Sequence, residues 1–458
     1  MTSATAALAA RPAAPNPLLS GPILPTLLRF ALPNMGAMLA TALAAIAETA
    51  YVGSFGVASL AGMALVFPMV MFQMMLSGGA MGGGVSSAIS RALGAGDSAR
   101  ANALAAHAFW IGLSLGALYM ALMLGFGPAL FAALGGAGEA LSQAMAYAQV
   151  AFLGSVFVWL LNTLASVLRG SGNMAVPSAT LLAVALVQVV VSGALGLGWG
   201  PFPAWGMRGV AAGQVVAYGL GSLVLLGYLR AGHARVTLRL RATPLQWPLL
   251  RDILRVGALA CIAPLQTVLT ILILTRLVAQ FGPTTLAGYG IGTRLEFLLV
   301  PIAFAVGVAS VPLVGMAIGA GKVARARRAA WIAAAVAGTA LSLLGFVLAF
   351  APDLWTRRFT TDAAVVESAA LYFRWAGPAY GLFGLGLCLY FSALGAGKVG
   401  GPVLAGTLRL VLVAVGGWIL TAAHAPPWTI FALVAFGMVS FGLASTLAMR
   451  LSNWGVER

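Results

Sequence analysis

The sequence has 458 residues, of which 61% are hydrophobic and only 7% are charged. An ordinary soluble domain is about 45–50% apolar and about 25% charged, so this composition excludes a water-soluble globular protein. The mean hydropathy of +1.01 indicates many apolar segments of about 20 residues, the length that crosses a bilayer. The net charge of +16 would suggest nucleic-acid binding in a soluble chain, but here the membrane decides where the basic residues lie.

Glycines, prolines and charged clusters divide the chain into twelve predicted membrane spans. They lie near residues 24–54, 57–90, 101–125, 140–168, 174–198, 207–230, 250–281, 284–318, 327–350, 363–394, 399–422 and 427–450. The spans predict an all-α membrane protein. Residues 1–20 lack the basic start and apolar run of a signal peptide, so we expect a disordered cytoplasmic tail there.

Lysine and arginine are distributed unevenly between alternate loops. One set of loops and tails holds most of the 25 basic residues, whereas the opposite loops hold only Arg208, Arg357 and Arg358. Because basic residues favour the cytoplasmic side of a membrane, both termini are predicted to be cytoplasmic.

The chain repeats itself. FGVASLAG from Phe55 matches FGPTTLAG from Phe281, LGAGDSAR from Leu93 matches IGAGKVAR from Ile318, and Tyr147 falls opposite Tyr372 at nearly the same separation. Each half has an even number of spans, so both insert in the same orientation and their pseudo-twofold axis lies along the membrane normal. We therefore predict a six-helix lobe at 21–230, a basic cytoplasmic linker at 231–249, a second six-helix lobe at 250–450 and a cytoplasmic tail at 451–458.

Glu48 is an acidic residue inside a long apolar span, where an ionisable group costs several kcal/mol unless it faces a cavity or a partner. The nearest base on its own helix is Arg29, about 28 Å away by helical rise. Burial therefore disfavours the ionised carboxyl, which suits a group that carries a proton, or that holds sodium when ionised. A carboxyl hydrogen-bonded to a neighbouring helix is the structural alternative.

Glu296 is the second acid inside a span, and it is not the repeat equivalent of Glu48, which aligns with Leu274. It shares its helix with Arg294 and follows Arg276 on the preceding span. Since a buried arginine requires a carboxylate, Glu296 is either a second cation-coupling residue or a structural counter-ion of these arginines. Arg409, towards the end of its span, is interpreted as a snorkelling anchor.

Further residues within the spans suit a substrate cavity, although each is equally suited to joining helices. They are Gln73, Met74, Asn162, Gln188, Gln266 and Tyr380.

Several motifs are missing from the sequence. Neither GAGK stretch is a P-loop, because the lysines Lys322 and Lys398 are each followed by valine instead of serine or threonine. The histidines lie in loops or at a span end and form no catalytic pattern, and Cys261 and Cys388 suggest neither a disulfide nor a metal site. We therefore expect no enzyme activity and no cofactor, and transport driven by a gradient or a partner.

The sequence resembles the multidrug and toxic compound extrusion (MATE) family through both halves. The resemblance rests on LPNMGAMLATALAAIAETAYVGSFGVASLAG at 32–62, SSAISRALGAG at 86–96, LAGYGIGTRLEFLLVPIAFAVG at 286–307 and YFSALGAGKVGGP at 390–402. It implies two lobes around a V-shaped cleft, and export of organic, often cationic or amphipathic, compounds against inward protons or sodium. It also implies a coupling acid on the first helix, here Glu48, with sodium as one possible ion at that residue.

The prediction is therefore an antiporter of the bacterial inner membrane that works by alternating access. We expect its partners to be a small-molecule substrate and membrane lipid, not nucleic acid, and we expect a monomer. A lipid-linked oligosaccharide flippase of the same wider superfamily is the nearest alternative, which Arg276 and Arg294 favour, and a channel is a third.

Overall fold

The computed structural model describes residues 17–240 and 243–455. The predicted tails at 1–20 and 451–458 therefore fall partly outside the described residues. Eleven described helices are long and apolar enough to cross a membrane, and a bent helix pair supplies a twelfth span. They are α1 (Ile23–Gly53), α2 (Val57–Gly94), α3 (Ser98–Ala133), α4 (Gly138–Leu153 and Ser155–Gly170), α5 (Ala175–Leu197), α6 (Met207–Arg230), α7 (Trp247–Ala279), α8 (Pro283–Gly319), α9 (Val323–Phe350), α10 (Ala363–Gly395), α11 (Gly400–Ala422) and α12 (Pro427–Leu451).

Local sequence explains where these helices are irregular. The two parts of α4 meet at Gly154 with a bend of 46°, and the glycine-rich part of α2 forms a π-helix over Met75–Met81. In α7, Pro264 has no N–H to donate to the carbonyl of Ala260. The hydroxyl of Tyr390 on α10 donates to that carbonyl instead, over 3.2 Å, so a neighbouring helix satisfies the break.

The described residues form two hydrophobic cores, one for each half of the chain. The first helical segment of each half packs in the core of the other half. Leu27 and Ala31 at the start of α1 belong to the core formed mainly by α7–α12, and Ile253 at the start of α7 belongs to the core formed by the first half. We call the first-half bundle, α1–α6, the first lobe and α7–α12 the second lobe. Each lobe therefore begins with a segment that packs in the other.

The lobes meet on the side of the basic loops, which we call the basic side. There the second part of α2, Gly82–Gly94, packs along α8, whereas the first part, Val57–Met74, has no comparable contact with α8 in the described residues. The contact is reciprocal, because a Cβ atom on Gly94 would overlap the carbonyl oxygen of Met316 and one on Gly319 would overlap that of Arg91. The glycines thus allow the two backbones to touch.

Polar contacts secure the same side. The hydroxyl of Ser87 lies 2.6 Å from the carbonyl oxygen of Leu394 on α10. Asp252 near the start of α7 pairs with Arg91 over 2.8 Å and with Arg100 over 2.9 Å. At the repeat-equivalent place, Arg325 donates to the backbone carbonyls of Leu18 and Gly21 before α1. A basic residue after α2 and one after α8 therefore hold the first segment of α7 and of α1.

Replacing Gly94 with alanine is expected to separate the lobes on the basic side, because the added methyl group has no space beside Met316. Spin labels at the exposed positions Arg230 and Lys398, in a protein whose cysteines are replaced by alanine, should show a longer mean distance by double electron–electron resonance. Gly227→Ala is the control, because a Cβ atom at Gly227 meets nothing within 4 Å. An unchanged distance in Gly94→Ala would show that this contact does not close the lobes.

Candidate functional site

Glu48 lies inside the first lobe, on the face of α1 that packs against α5, and is only 3% exposed. Gln188 on α5 donates a hydrogen bond from Nε2 to its Oε1 atom over 2.9 Å, and the hydroxyl of Ser192, one turn further along α5, lies 3.0 Å from the same oxygen. Both contacts end on Oε1. In the described residues no donor binds Oε2, so this oxygen is available for a proton or a cation.

Ser192 connects the carboxyl to a third helix. Its hydroxyl also lies 2.9 Å from the carbonyl oxygen of Val210 on α6, and a hydroxyl has one hydrogen to donate. If Glu48 is ionised, this hydrogen is drawn to the carboxylate. If Glu48 is protonated, the carboxyl can donate to Ser192, which then donates to Val210. The charge state of Glu48 therefore decides which helix receives the hydrogen of Ser192.

The surroundings of Glu48 are polar but uncharged. Tyr147 and Tyr218 are near enough to interact with it electrostatically, and Tyr147 donates to Oε1 of Gln214 over 3.1 Å. None of the ion pairs between described residues includes Glu48. The carboxyl is held by neutral hydrogen-bond donors alone.

The second lobe holds Glu296 in a different setting. The hydroxyls of Tyr372 and Tyr380 on α10 donate to its Oε1 atom, that of Tyr380 over 3.4 Å. The cation that interacts with it is Arg409 on α11, whose guanidinium also lies 5.0 Å from the ring centre of Phe383. Arg409 forms no ion pair with Glu296 among the described residues, and its Nε atom has no hydrogen-bond partner there, so its interpretation as a snorkelling anchor stays a prediction.

The structure does not place Arg276 or Arg294 as charge partners of Glu296. Both are exposed, neither forms an ion pair among the described residues, and Arg294 instead lies 5.4 Å from the ring centre of Phe359. For Arg294 the reason is helical geometry, because residues two positions apart point to different faces of a helix.

Comparison with known proteins identifies the scaffold. The family profile described as MatE matches residues 33–193 and 260–419, one segment in each half of the chain. The chain belongs to the MatE family. The described helices and the two hydrophobic cores confirm the predicted all-α membrane fold of two lobes, and one matched segment lies in each lobe.

Relatives of this MatE protein are transporters by name. It is 28% identical over 387 residues to the FAD transporter of Shewanella oneidensis, covering 83% of each chain. It is also 28% identical to the probable multidrug resistance protein NorM of Thermotoga maritima, covering 75% of this chain and 74% of that one.

Solved structures share the fold. A MOP superfamily transporter from Pyrococcus furiosus superimposes with a TM-score of 0.87 at 24% identity, over 95% of this chain and 97% of that one. A multidrug resistance MATE family transporter in an outward-facing conformation superimposes with a TM-score of 0.84 at 23% identity, over 94% and 96% of the two chains.

The six residues predicted for a substrate cavity are divided between the two lobes. In the first lobe, Gln73 donates to the carbonyl of Ser155 at the bend of α4, Asn162 donates to Ser77 and lies 3.8 Å from the sulfur of Met74, and Gln188 binds Glu48. In the second lobe, Gln266 donates to Thr407 over 2.7 Å and Tyr380 binds Glu296. All six form contacts between helices, and their role in substrate binding stays a prediction.

Several residues of these clusters are not predicted from the sequence. Ser192, Tyr218 and Tyr372 were not singled out as site residues, although Tyr147 and Tyr372 align in the repeat. That alignment was the available signal, since each tyrosine interacts with the acid of its own lobe.

The groups around Glu48 show how well this site suits a sodium ion. Hard cations bind oxygen atoms, and here the carboxylate, the hydroxyl of Ser192 and the carbonyl of Val210 supply them, whereas Gln188 presents a donor. No group of three histidine, cysteine or acidic residues that could hold a metal ion occurs in the described residues. A proton requires less rearrangement of these contacts than sodium.

Glu48→Gln should change the free energy of unfolding by no more than about 1 kcal/mol, because the substitution leaves no cation without a counter-ion. Asp252→Asn should lower it by about 1–3 kcal/mol, because it leaves Arg91 and Arg100 without their carboxylate, at a site between fully exposed and fully buried. Thermal unfolding of the purified proteins in detergent measures both effects. A larger loss for Glu48→Gln would reveal a cationic partner of Glu48.

Proposed function

We propose that this MatE protein is a secondary antiporter of the bacterial cytoplasmic membrane, with both termini in the cytoplasm. It exports small organic, amphipathic compounds in exchange for protons or sodium by alternating access. The observation that carries the proposal is Glu48, a carboxyl buried in an apolar bundle among neutral donors and with Oε2 free. Ionisable residues at such positions characteristically serve ion pathways.

The hydrogen-bond geometry supports a proton as the preferred ion. Protonation of Glu48 leaves the donor contact from Gln188 intact and lets Ser192 donate to Val210 on α6. Loss of the proton draws the hydrogen of Ser192 back to the carboxylate. Ion binding at α1 is thereby coupled to the contact between α5 and α6, the most direct route by which it can change the packing of the first lobe.

Alternating access requires that the lobes part on the basic side in one state and on the opposite side in the other. The described conformation is joined on the basic side through α2 and α8. In the proposed cycle, a proton from the opposite side reaches Glu48 in this conformation. The rearranged α5–α6 contact then favours opening of the basic side, where the compound binds.

The two alternatives have less support. The flippase alternative needs Arg276 and Arg294 on one basic surface of the cleft. Both are exposed, but Arg294 lies over the ring of Phe359, and no contact between described residues brings the two arginines together. The channel alternative needs a continuous pore lined by polar residues, whereas the polar groups at Glu48, Gln266 and Glu296 are engaged by neighbouring side chains of the same lobe.

Glu48→Gln is expected to abolish coupling without abolishing movement of the compound. In proteoliposomes with proton and sodium gradients imposed separately, the wild-type protein should concentrate ethidium or a flavin at least tenfold more with the proton gradient than without a gradient. Glu48→Gln should lose this concentration but retain downhill exchange, because amide and carboxyl have the same shape.

Glu139→Gln is the matched control, since Glu139 is an exposed acid at the start of α4, and it should transport as the wild type does. Concentration driven only by the sodium gradient, and lost in Glu48→Gln, would make sodium the coupling ion. Full gradient-driven concentration by Glu48→Gln would refute coupling at this residue.

A further inference from the structure

Arg169 is a buried guanidinium between the two lobes. It belongs to the last turn of α4 and is only 6% exposed. It borders a small cavity on the basic side that holds about one water molecule, about 10 Å³ in volume. The cavity is lined by α2, α4, α8 and α10, through residues Gly78, Gly82, Gly83, Ser86, Ser166, Arg169, Val308, Val311 and Phe391. Both lobes therefore contribute to its wall.

The charge of Arg169 is not compensated within the described residues. No acid forms an ion pair with it there, and no described group accepts a hydrogen bond from the guanidinium. Arg91, in contrast, forms an ion pair with Asp252. Burying one charge without a partner is costly, and such a group is normally paired.

A second unsatisfied group faces the same cavity. The hydroxyl of Ser86 on α2 is buried and has no hydrogen-bond partner among the described residues. The hydroxyl of Ser166, across the cavity, already donates to the carbonyl of Asn162. The cavity thus presents one free guanidinium and one free hydroxyl, which are the donors that bind carboxylate and phosphate oxygens.

A structural role explains Arg169 less well. The C-terminal end of a helix favours a positive charge by about 0.3–1 kcal/mol at exposed sites and up to about 2 kcal/mol at partly buried ones, which is less than the cost of burying an unpaired charge. A snorkelling arginine would extend its guanidinium to water, whereas Arg169 is only 6% exposed and borders a cavity that residues of α8 and α10 also line. Glycines at 82 and 83 leave the wall of the cavity without side chains, so that α2 approaches Ser166 and Leu394 closely.

We propose that Arg169 and Ser86 form an anion-binding site that recognises a carboxylate or phosphate group of the exported compound. The site is closed in this conformation, where only a water molecule fits, and opens when α2 and α8 part on the basic side. This inference rests on the proposed export function and names its substrate class: amphipathic compounds with an anionic group. The acid of the first lobe, Glu48, then serves the ion, and the arginine serves the substrate.

The test uses two flavins that differ by one phosphate group, riboflavin 5′-phosphate and riboflavin. Binding is measured by flavin fluorescence with the full-length protein in nanodiscs of phosphatidylcholine. The wild-type protein should bind the phosphorylated flavin at least tenfold more tightly. Arg169→Gln should remove this preference without weakening riboflavin, Arg169→Lys should keep part of it, and Ser86→Ala should reduce it several-fold. Arg230→Gln, which removes an exposed charge from the last turn of α6, should keep it.

A wild-type protein without the preference, or a preference that survives in Arg169→Gln, overturns the proposal. Nanodiscs that contain phosphatidylglycerol test whether the anion is a lipid headgroup. If it is, phosphatidylglycerol should weaken the binding of riboflavin 5′-phosphate to the wild type but not to Arg169→Gln. That result would show that the site recognises lipid and not substrate. Proton-driven riboflavin transport should persist in Arg169→Gln and fail in Glu48→Gln, so the failure of either proposal can be told from that of the other.

The thermal unfolding midpoint gives an independent measurement. Because Arg169 is buried without a partner in the closed conformation, Arg169→Gln should raise the midpoint relative to the wild type, and riboflavin 5′-phosphate should raise the midpoint of the wild type alone. A lower midpoint for Arg169→Gln would show that the guanidinium has a structural role and would overturn the proposal.

Discussion

The hydrogen-bond partners of a few buried polar groups govern the organisation of this protein. Inside an apolar bundle an unpaired charge costs several kcal/mol, a large part of the 5–15 kcal/mol by which a folded protein is normally stable. Asp252 has two arginines and Glu296 has two tyrosines and Arg409. Glu48 has neutral donors only. An ion or a ligand is therefore expected to gain the most binding free energy at the groups whose charge has the fewest partners.

The two lobes share a scaffold but not a chemistry. Tyr147 and Tyr372 occupy matching positions of the repeat, and each interacts with an acid of its own lobe. The acids themselves come from different helices, α1 in the first lobe and α8 in the second. A cation accompanies only Glu296. The first lobe is thus the one whose carboxyl can change its charge with the least rearrangement of other charges.

The basic side links these sites to motion. The first segments of α1 and α7 each pack in the opposite lobe's core, and arginines after α2 and α8 hold them there. A movement of α2 away from both α8 and α10 would break the contact of Ser87 with α10 and uncover the cavity of Arg169. Opening of the basic side therefore breaks contacts between the backbones of the two lobes. It also exposes the guanidinium of Arg169, and the binding of an anionic substrate there can offset the free energy of opening.

The membrane class, the twelve spans, the internal repeat and the buried acids Glu48 and Glu296 can be predicted from the amino-acid sequence, because hydropathy and the repeat are read along the chain without knowledge of which helices pack together. The sequence could not decide the partners. Arg294 is two positions from Glu296 yet points to another face, whereas Arg409, far along the chain, interacts with it. Ser192 and Ser86 carry no distinctive local pattern. Partner choice depends on how each helix is rotated and on which helices adjoin, and only the packing of the whole bundle fixes both.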